Sequence, residues 1–302
     1  MKTALVLGGG GARGLAHIGV LKVLERHGFR PDLIVGCSIG SIIGGMYAQT
    51  PDINSIEQKV REYFKSTEYE SLSISVLERH RDTEYDDDFL HQIARNLFKR
   101  VLLNMVATRR SILKNDKLDS TIKYLIKPGD ISETEIPFAC NATDLVSGEP
   151  VLFTQGDIQL AIKASSSIPG YLPPIQWDSK LLVDGAVTYS LPVKFAQDLG
   201  AQKIISVNVK QTLKPQADYR NVFDILLRVN SVTSSLLYKE TAKQADLQIE
   251  PDVGDFLWYD FKYMDEIIRA GEQAALNKLE ELNKKIIQPS KSFWKRFFKS
   301  SY

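Results

Sequence analysis

Apolar residues fall in short runs separated by glycine-rich or polar turns, and their spacing switches between two periods. Residues 2–7 form an apolar strand, a glycine run follows, and Leu15, Ile18, Leu21 and Leu24 then recur at helical spacing. Gly28 is a natural residue just past that helix, and His27 sits at its negative end. A second strand at residues 33–35 runs through a tight glycine turn into an apolar helix. Residues 54–64 read as an amphipathic helix, and residues 66–83 are polar and poorly patterned. Phe89, Leu90, Ile93, Leu97, Val101, Leu102 and Met105 share one helical face. Sheet character returns at residues 137–143 and 151–153, followed by a helix at 158–166, an extended stretch at 173–175 and a strand at 181–183. Helix and strand continue at 193–199 and 203–209, and helix, strand and helix at 221–245, 247–249 and 265–282. Alternation of this kind predicts an α/β fold, a parallel sheet with helices on both faces. No shift in composition divides it.

Length and charge narrow the class. The chain has 302 residues, enough for a substantial core, and its 38 basic and 37 acidic side chains create no global field that would point to nucleic acid. Cys37 and Cys140 form neither a disulfide framework nor a zinc spacing, so a reducing, cytoplasmic setting is expected. The N-terminus enters a strand at once and does not read as a signal peptide. Residues 33–51 carry no charge, but their glycines and serines fit a buried strand and a closely packed helix better than a membrane span.

Two glycine motifs carry the chemistry. Gly36-Cys37-Ser38-Ile39-Gly40, between a strand and a helix, has the form of a nucleophile elbow, in which a strained turn lifts a serine hydroxyl above the end of a sheet. Ser38 is the expected nucleophile, at a helix N-terminus that favours a developing anion. The earlier run, Gly8 to Gly11 with Arg13 and Gly14, has three readings. As Gly9-x-Gly11-x-x-Gly14 it fits a dinucleotide fingerprint, but the acid expected at the end of the next strand is missing, since Asp32 lies at the wrong end. As a run of free amides it fits an anion hole beside Ser38. As a plain tight turn it would only permit close packing.

A serine needs a base. The four histidines are His17, His27, His80 and His91; none follows Asp184, so the serine–acid–histidine order is closed. His17, near the glycine loop, reads better as packing or capping than as catalysis. Asp184, at the end of the strand at 181–183, is the candidate base, because burial raises a carboxylate's basicity. Asp184-Gly185 is also a common turn. Asp86-Asp87-Asp88 lacks calcium-loop spacing and reads as helix capping, so no metal is expected.

Gly9-Gly10-Gly11-Ala12-Arg13-Gly14, Gly36-Cys37-Ser38-Ile39-Gly40 and Asp184-Gly185-Ala186, in this order, resemble the patatin-like phospholipase family. The resemblance covers about the first 210 residues and extends more loosely beyond them. It implies a three-layer α/β/α fold with a mainly parallel central sheet, and a Ser–Asp dyad acting on acyl esters of lipids without cofactor or metal. Carried over, Ser38 attacks, Asp184 accepts its proton, and the amides of Gly10 and Gly11, within the Gly9–Gly11 run, hold the oxyanion with help from Ile39. Arg13 matches a basic position of the family or simply braces the loop; Gly14, Gly36, Gly40, Gly185 and Ala186 complete the motifs. Ser165-Ser166-Ser167-Ile168-Pro169 resembles the segment the family places before its aspartate strand. Ser190-Leu191-Pro192 stands where many members have Asn-x-Pro. Cys37 reads as core filling, its side chain turned away from the attack site.

The expected organisation is a catalytic domain at 1–285 and a basic, aromatic tail at 286–302. In that tail Phe293, Trp294, Phe297 and Phe298 can share one helical face, with Lys291, Lys295, Arg296 and Lys299 on the other. This pattern fits peripheral contact with an anionic membrane on its inner face, and equally a solvated tail or aromatics docked on the domain. The function expected is lipid acyl hydrolysis; its rivals are a non-catalytic lipid-binding protein of the same fold and a dinucleotide-binding reductase. Deleting residues 289–302 should weaken co-sedimentation with anionic liposomes, and unchanged pelleting would refute a surface helix.

Overall fold

The computed structural model describes residues 2–66, 115–209 and 222–287, with positions 213, 215, 217 and 219. The sequence-predicted helical face at 89–105, Asp86–Asp88, His80, His91 and the tail at 291–299 lie outside these residues. The strands are β1 (Thr3–Leu7), β2 (Leu33–Gly36), β3 (Phe138–Asp144), β4 (Pro150–Phe153), β5 (Ile175–Trp177), β6 (Lys180–Asp184), β7 (Lys203–Val207) and β8 (Leu247–Ile249). The longer helices are α1 (Ala16–Arg26), α2 (Ile39–Gln49), α3 (Ile53–Phe64), α4 (Asn115–Leu125) and α5 (Ile158–Ser165). They are followed by α6 (Ala186–Tyr189), α7 (Val193–Asp198), α8 (Val222–Ala242), α9 (Met264–Asn277) and α10 (Leu279–Leu282).

One mixed sheet of eight strands runs in the order β5-β6-β3-β2-β1-β7-β8, with β4 on β3. The pleat sorts its residues between two helical layers. Leu5, Leu7, Ile34 and Val207 face a large core under α1, α2, α3, α5 and α9. Ala4, Val6, Leu33, Val35 and Ile204 face a smaller one under α7 and the end of α8. Strands buried on both faces explain the uninterrupted apolar runs. Asp32, excluded as a ribose ligand by its position, accepts the Thr3 amide at 2.7 Å and ties β2 to β1.

The sheet is not parallel throughout. β3, β2, β1, β7 and β8 are parallel, but β4 and β6 run antiparallel to β3, and β5 antiparallel to β6. The cause lies in strand length. Gly36 ends β2 opposite Cys140, so β3 runs on past its neighbour and leaves Ala142 to Asp144 open to β6. β6 arrives from a hairpin and points back toward the carboxyl edge of the parallel strands. Two helical expectations also change. Residues 265–282 break at Lys278 into α9 and α10, and α4 was not anticipated. Among the described residues no helix is long and apolar enough to cross a membrane.

The tightest helix pair is α1 on α9, and each contributes a glycine. A Cβ on Gly19 would fall on the Ile268 carbonyl, and one on Gly271 would fall on the Ala16 carbonyl. Backbone cannot yield as a side-chain tip can, so Gly271→Ala should cost about 1–3 kcal/mol of stability. An unchanged urea midpoint would mean that the two helices can move apart freely.

Candidate active site

β2 carries the chain up to a turn that only small residues can make. A Cβ on Gly40 would fall on the Leu7 carbonyl, and one on Gly36 would lie within 2.5–2.7 Å of the Gly40 and Ser41 backbone. Between them Ser38 adopts φ 53° and ψ −126°, a strained conformation for a residue with a side chain. The Ser41 hydroxyl holds the turn by donating to the Ser38 carbonyl at 2.6 Å. α2 starts at Ile39, and the amides that follow it, those of Gly40 and Ser41, donate to the Cys37 and Ser38 carbonyls at 2.8 Å.

The antiparallel return of β6 brings Asp184 to this turn from the far half of the chain. Ser38 Oγ donates to Asp184 Oδ2 at 2.6 Å, with both residues buried. The other oxygen, Oδ1, accepts the Ala186 amide at 2.8 Å. Burial pushes the Asp184 carboxyl up to about 6, against the pull of hydrogen bonds from Ser38, the Ala186 amide and Cys37. Such a group is a stronger base than an exposed aspartate yet is largely ionised at neutral pH. Cys37 is core filling as expected, but it does not turn away from the site. Its Sγ lies 3.8 Å from Asp184 Oδ1, behind the carboxylate.

The glycine loop lies alongside. Among the described residues, the amides of Gly10, Gly11 and Ile39 have no acceptor within the protein. Gly9 differs from the expectation that placed it with them. Its amide is already given to the Ser190 carbonyl at 2.8 Å. Gly9 serves instead through its missing side chain, since a Cβ there would stand 3.3 Å from Ser38 Cβ. Because Ser190 contributes its backbone, a serine in place of the family's asparagine leaves this contact intact. Gly11 has φ +59°, and a Cβ on it would fall on the Trp258 carbonyl, which accepts the Ala12 amide at 2.6 Å. Arg13 braces the loop, its Nε donating to the Gly10 carbonyl at 3.2 Å. His17 does the same from below. It is fully buried, and its Nε2 donates to the Gly8 carbonyl at 2.8 Å. Desolvation lowers its pKa to about 4, so it is neutral and structural. Gly14 clears room for Ile39, and Gly185 for Asn141.

The segment from Ser165 was singled out in the sequence, but its role, and several other contributors, were not legible there. Ser165 Oγ accepts the Ser38 amide at 3.0 Å, while the Ser167 carbonyl accepts the Asp184 amide at 2.9 Å. One short segment therefore fixes both halves of the pair. Asn141 Nδ2 donates to the carbonyls of Gly185 and Tyr189, holding the loop after Asp184. An apolar cavity of about 980 Å³, including its open mouth, leads away from Ser38 between Ile42, Tyr63, Leu118, Tyr171, Trp258 and Phe261. The aromatic cluster at residues 256–263 was the available signal for its outer wall.

The comparisons agree with the motifs. A family model described as patatin-like phospholipase matches residues 5–196. Lysophospholipase NTE1 of Debaryomyces hansenii is 28% identical over 301 residues, which is 91% of this chain and 18% of that protein. Human patatin-like phospholipase domain-containing protein 6 is 29% identical over 301 residues, 89% of this chain and 20% of that protein. The chain thus spans about a fifth of the length of these relatives. Among solved structures, VipD from Legionella pneumophila is 12% identical with a TM-score of 0.46, covering 93% of this chain and 67% of that one.

The raised carboxyl has two consequences with opposite benefit. If Asp184 takes the proton of Ser38, labelling of Ser38 by a fluorophosphonate should accelerate with pH through a midpoint of about 6, as the carboxyl ionises. Its folded pKa lies above the ordinary 3.8, so stability falls as pH rises from about 4 through about 6. Asp184→Asn removes that penalty. At mildly alkaline pH the variant should melt no lower than wild type, while labelling drops about a hundredfold or more. A flat labelling profile across the acidic range would remove Asp184 from the role of base.

Proposed function

The chain belongs to the patatin-like phospholipase family, and from that premise we propose that it is a serine esterase hydrolysing acyl esters of lipids through Ser38 and Asp184. The observation that carries this reading is the 2.6 Å bond from the Ser38 hydroxyl to a buried carboxylate. Ser38 Oγ attacks the ester carbonyl carbon as its proton passes to Asp184 Oδ2. The carbonyl oxygen, now negative, lies among the free amides of Gly10, Gly11 and Ile39, each donor of this kind being worth about 3–4 kcal/mol to the barrier. Collapse of the tetrahedral adduct breaks the bond to the alcohol, which leaves with the proton from Asp184. The acyl group stays on Ser38. Water then attacks it while giving a proton to Asp184, and release of the fatty acid returns that proton to Ser38.

The apolar cavity beside Ser38 suits an acyl chain, and an open mouth leaves the polar head group in water. The names of the relatives, a lysophospholipase and a phospholipase domain protein, support a head group bearing phosphate. In this reading residues 1–285 act as the catalytic domain. Residues 286–302 add peripheral contact with an anionic membrane through positions 291–299, from the cytoplasmic side.

Turnover of a panel of phospholipids, lysophospholipids and acylglycerols tests the proposal. Wild type should release fatty acid, whereas Ser38→Ala and Asp184→Asn should each lose about two or more orders of magnitude of rate. Fluorophosphonate labelling should vanish in Ser38→Ala and survive in Cys37→Ala. A protein that binds these lipids but turns none over would be a carrier or regulator, and the esterase reading would fall.

A further inference from the structure

α8 is too long for the place it fills. Its 21 residues span about 31 Å at 1.5 Å each, whereas the five residues of β7 beneath it span about 17 Å. Only its last two turns reach the core: among its described side chains, those buried are Tyr238, Thr241 and Ala242. In the preceding four turns none of the described side chains is buried. The helix follows β7 and leads to β8, which lies parallel to β7, so its free end points toward the carboxyl edge of the sheet, where Ser38 and Asp184 sit. It also packs on α6, which begins two residues after Asp184.

The free end is apolar. Ile225, Leu226, Val229, Val232, Leu236 and Leu237 are all exposed, from 37% to 60%. Leu145 and Val146, on the turn after β3, and Val187 of α6, which follows β6, are exposed by 50% or more. Between Ile225 and Leu237 the sequence holds one charged residue, Arg228, and no acid; the other polar positions are hydroxyls and Asn230. A helix that meets a second protein copy normally carries charges of both signs at its margins to set register. Here Asp224 lies one residue before the exposed aliphatics, and along the aliphatic stretch itself the one charge is the cation Arg228, which suits an anionic surface.

We infer that the outstanding part of α8 is an interfacial anchor that buries its aliphatic side chains in the acyl boundary of a lipid bilayer. This places the carboxyl edge of the sheet, and with it Ser38, against the membrane. The choice of occupant rests on the lipid esterase reading above; the surface itself does not involve the tail. A soluble enzyme acting on a bilayer component must hold its site against that bilayer, and an apolar helix of this kind provides the hold.

The full chain tests this. Cys37 and Cys140 are buried, so Leu226→Cys offers a single accessible thiol for an environment-sensitive fluorophore. On addition of phosphatidylcholine–phosphatidylglycerol vesicles its emission should shift to the blue and be quenched by brominated acyl chains. Ile225→Ser, Leu226→Ser and Val229→Ser combined should lower the vesicle-bound fraction about tenfold or more, leaving hydrolysis of water-soluble p-nitrophenyl butyrate unchanged. Emission that ignores vesicles, or that shifts with protein concentration alone, would overturn the inference, the latter in favour of a second copy. Vesicle binding is read without turnover, so an enzyme inactive on every ester would fail the esterase reading and leave this one standing or falling on its own.

Discussion

A carboxylate taken out of water must be surrounded by donors, and the placement of Asp184 turns on that requirement. Its two oxygens receive the Ser38 hydroxyl and the Ala186 amide, with a thiol behind them. These contacts do not fully offset desolvation, and the residual cost appears as a raised proton affinity. Poor solvation is what gives an aspartate enough basicity to act on a serine. The burial that raises the basicity of Asp184 also makes it expensive to fold, a common trade where a polar group is held in an unfavourable setting.

The surrounding structure meets that cost with backbone rather than with further side-chain chemistry. β3 overshoots β2, the overshoot recruits β6, and β6 delivers the acid to the serine turn. The segment from Ser165 to Ser167 then bonds to both partners, and Asn141 secures the loop that follows. On the opposite side His17 and Arg13 grip carbonyls of the glycine loop, and among the described residues the Gly10 and Gly11 amides of that loop have no acceptor. A histidine and an arginine near a reactive serine invite catalytic roles, but here both are spent on holding a peptide in place.

What was legible in the sequence follows a physical line. Motifs whose residues act on their own neighbours were plain: Gly36 and Gly40 around Ser38, the glycine loop, and the turn at Asp184. The two-sided burial of β1 and β2 was plain from their apolar runs. Features that depend on partners distant in sequence were not. The reversed direction of β6 is set by how far β3 outruns β2, which no local pattern encodes. The loss of the Gly9 amide to Ser190, the inward turn of Cys37 and the hydroxyl of Ser165 under the Ser38 amide each need the folded chain before they exist. α4 was legible and was passed over: Leu118, Ile122 and Leu125 stand at helical spacing.

The interlocked glycines of α1 and α9 carry a consequence for where this unit can be cut. The family model matches only residues 5–196, but α9, which seats directly on the backbone of the first helix, comes some seventy residues later, within the longer stretch that aligns with the relatives. Leu282 and Ile286 close the same core. A fragment trimmed to the stretch that the family model matches would keep Ser38 and Asp184 and yet bare the outer flank of α1 and one margin of the sheet to water. Ser38 and Asp184 lie in the first two thirds of the polypeptide; the ability to close around them is written in the last third.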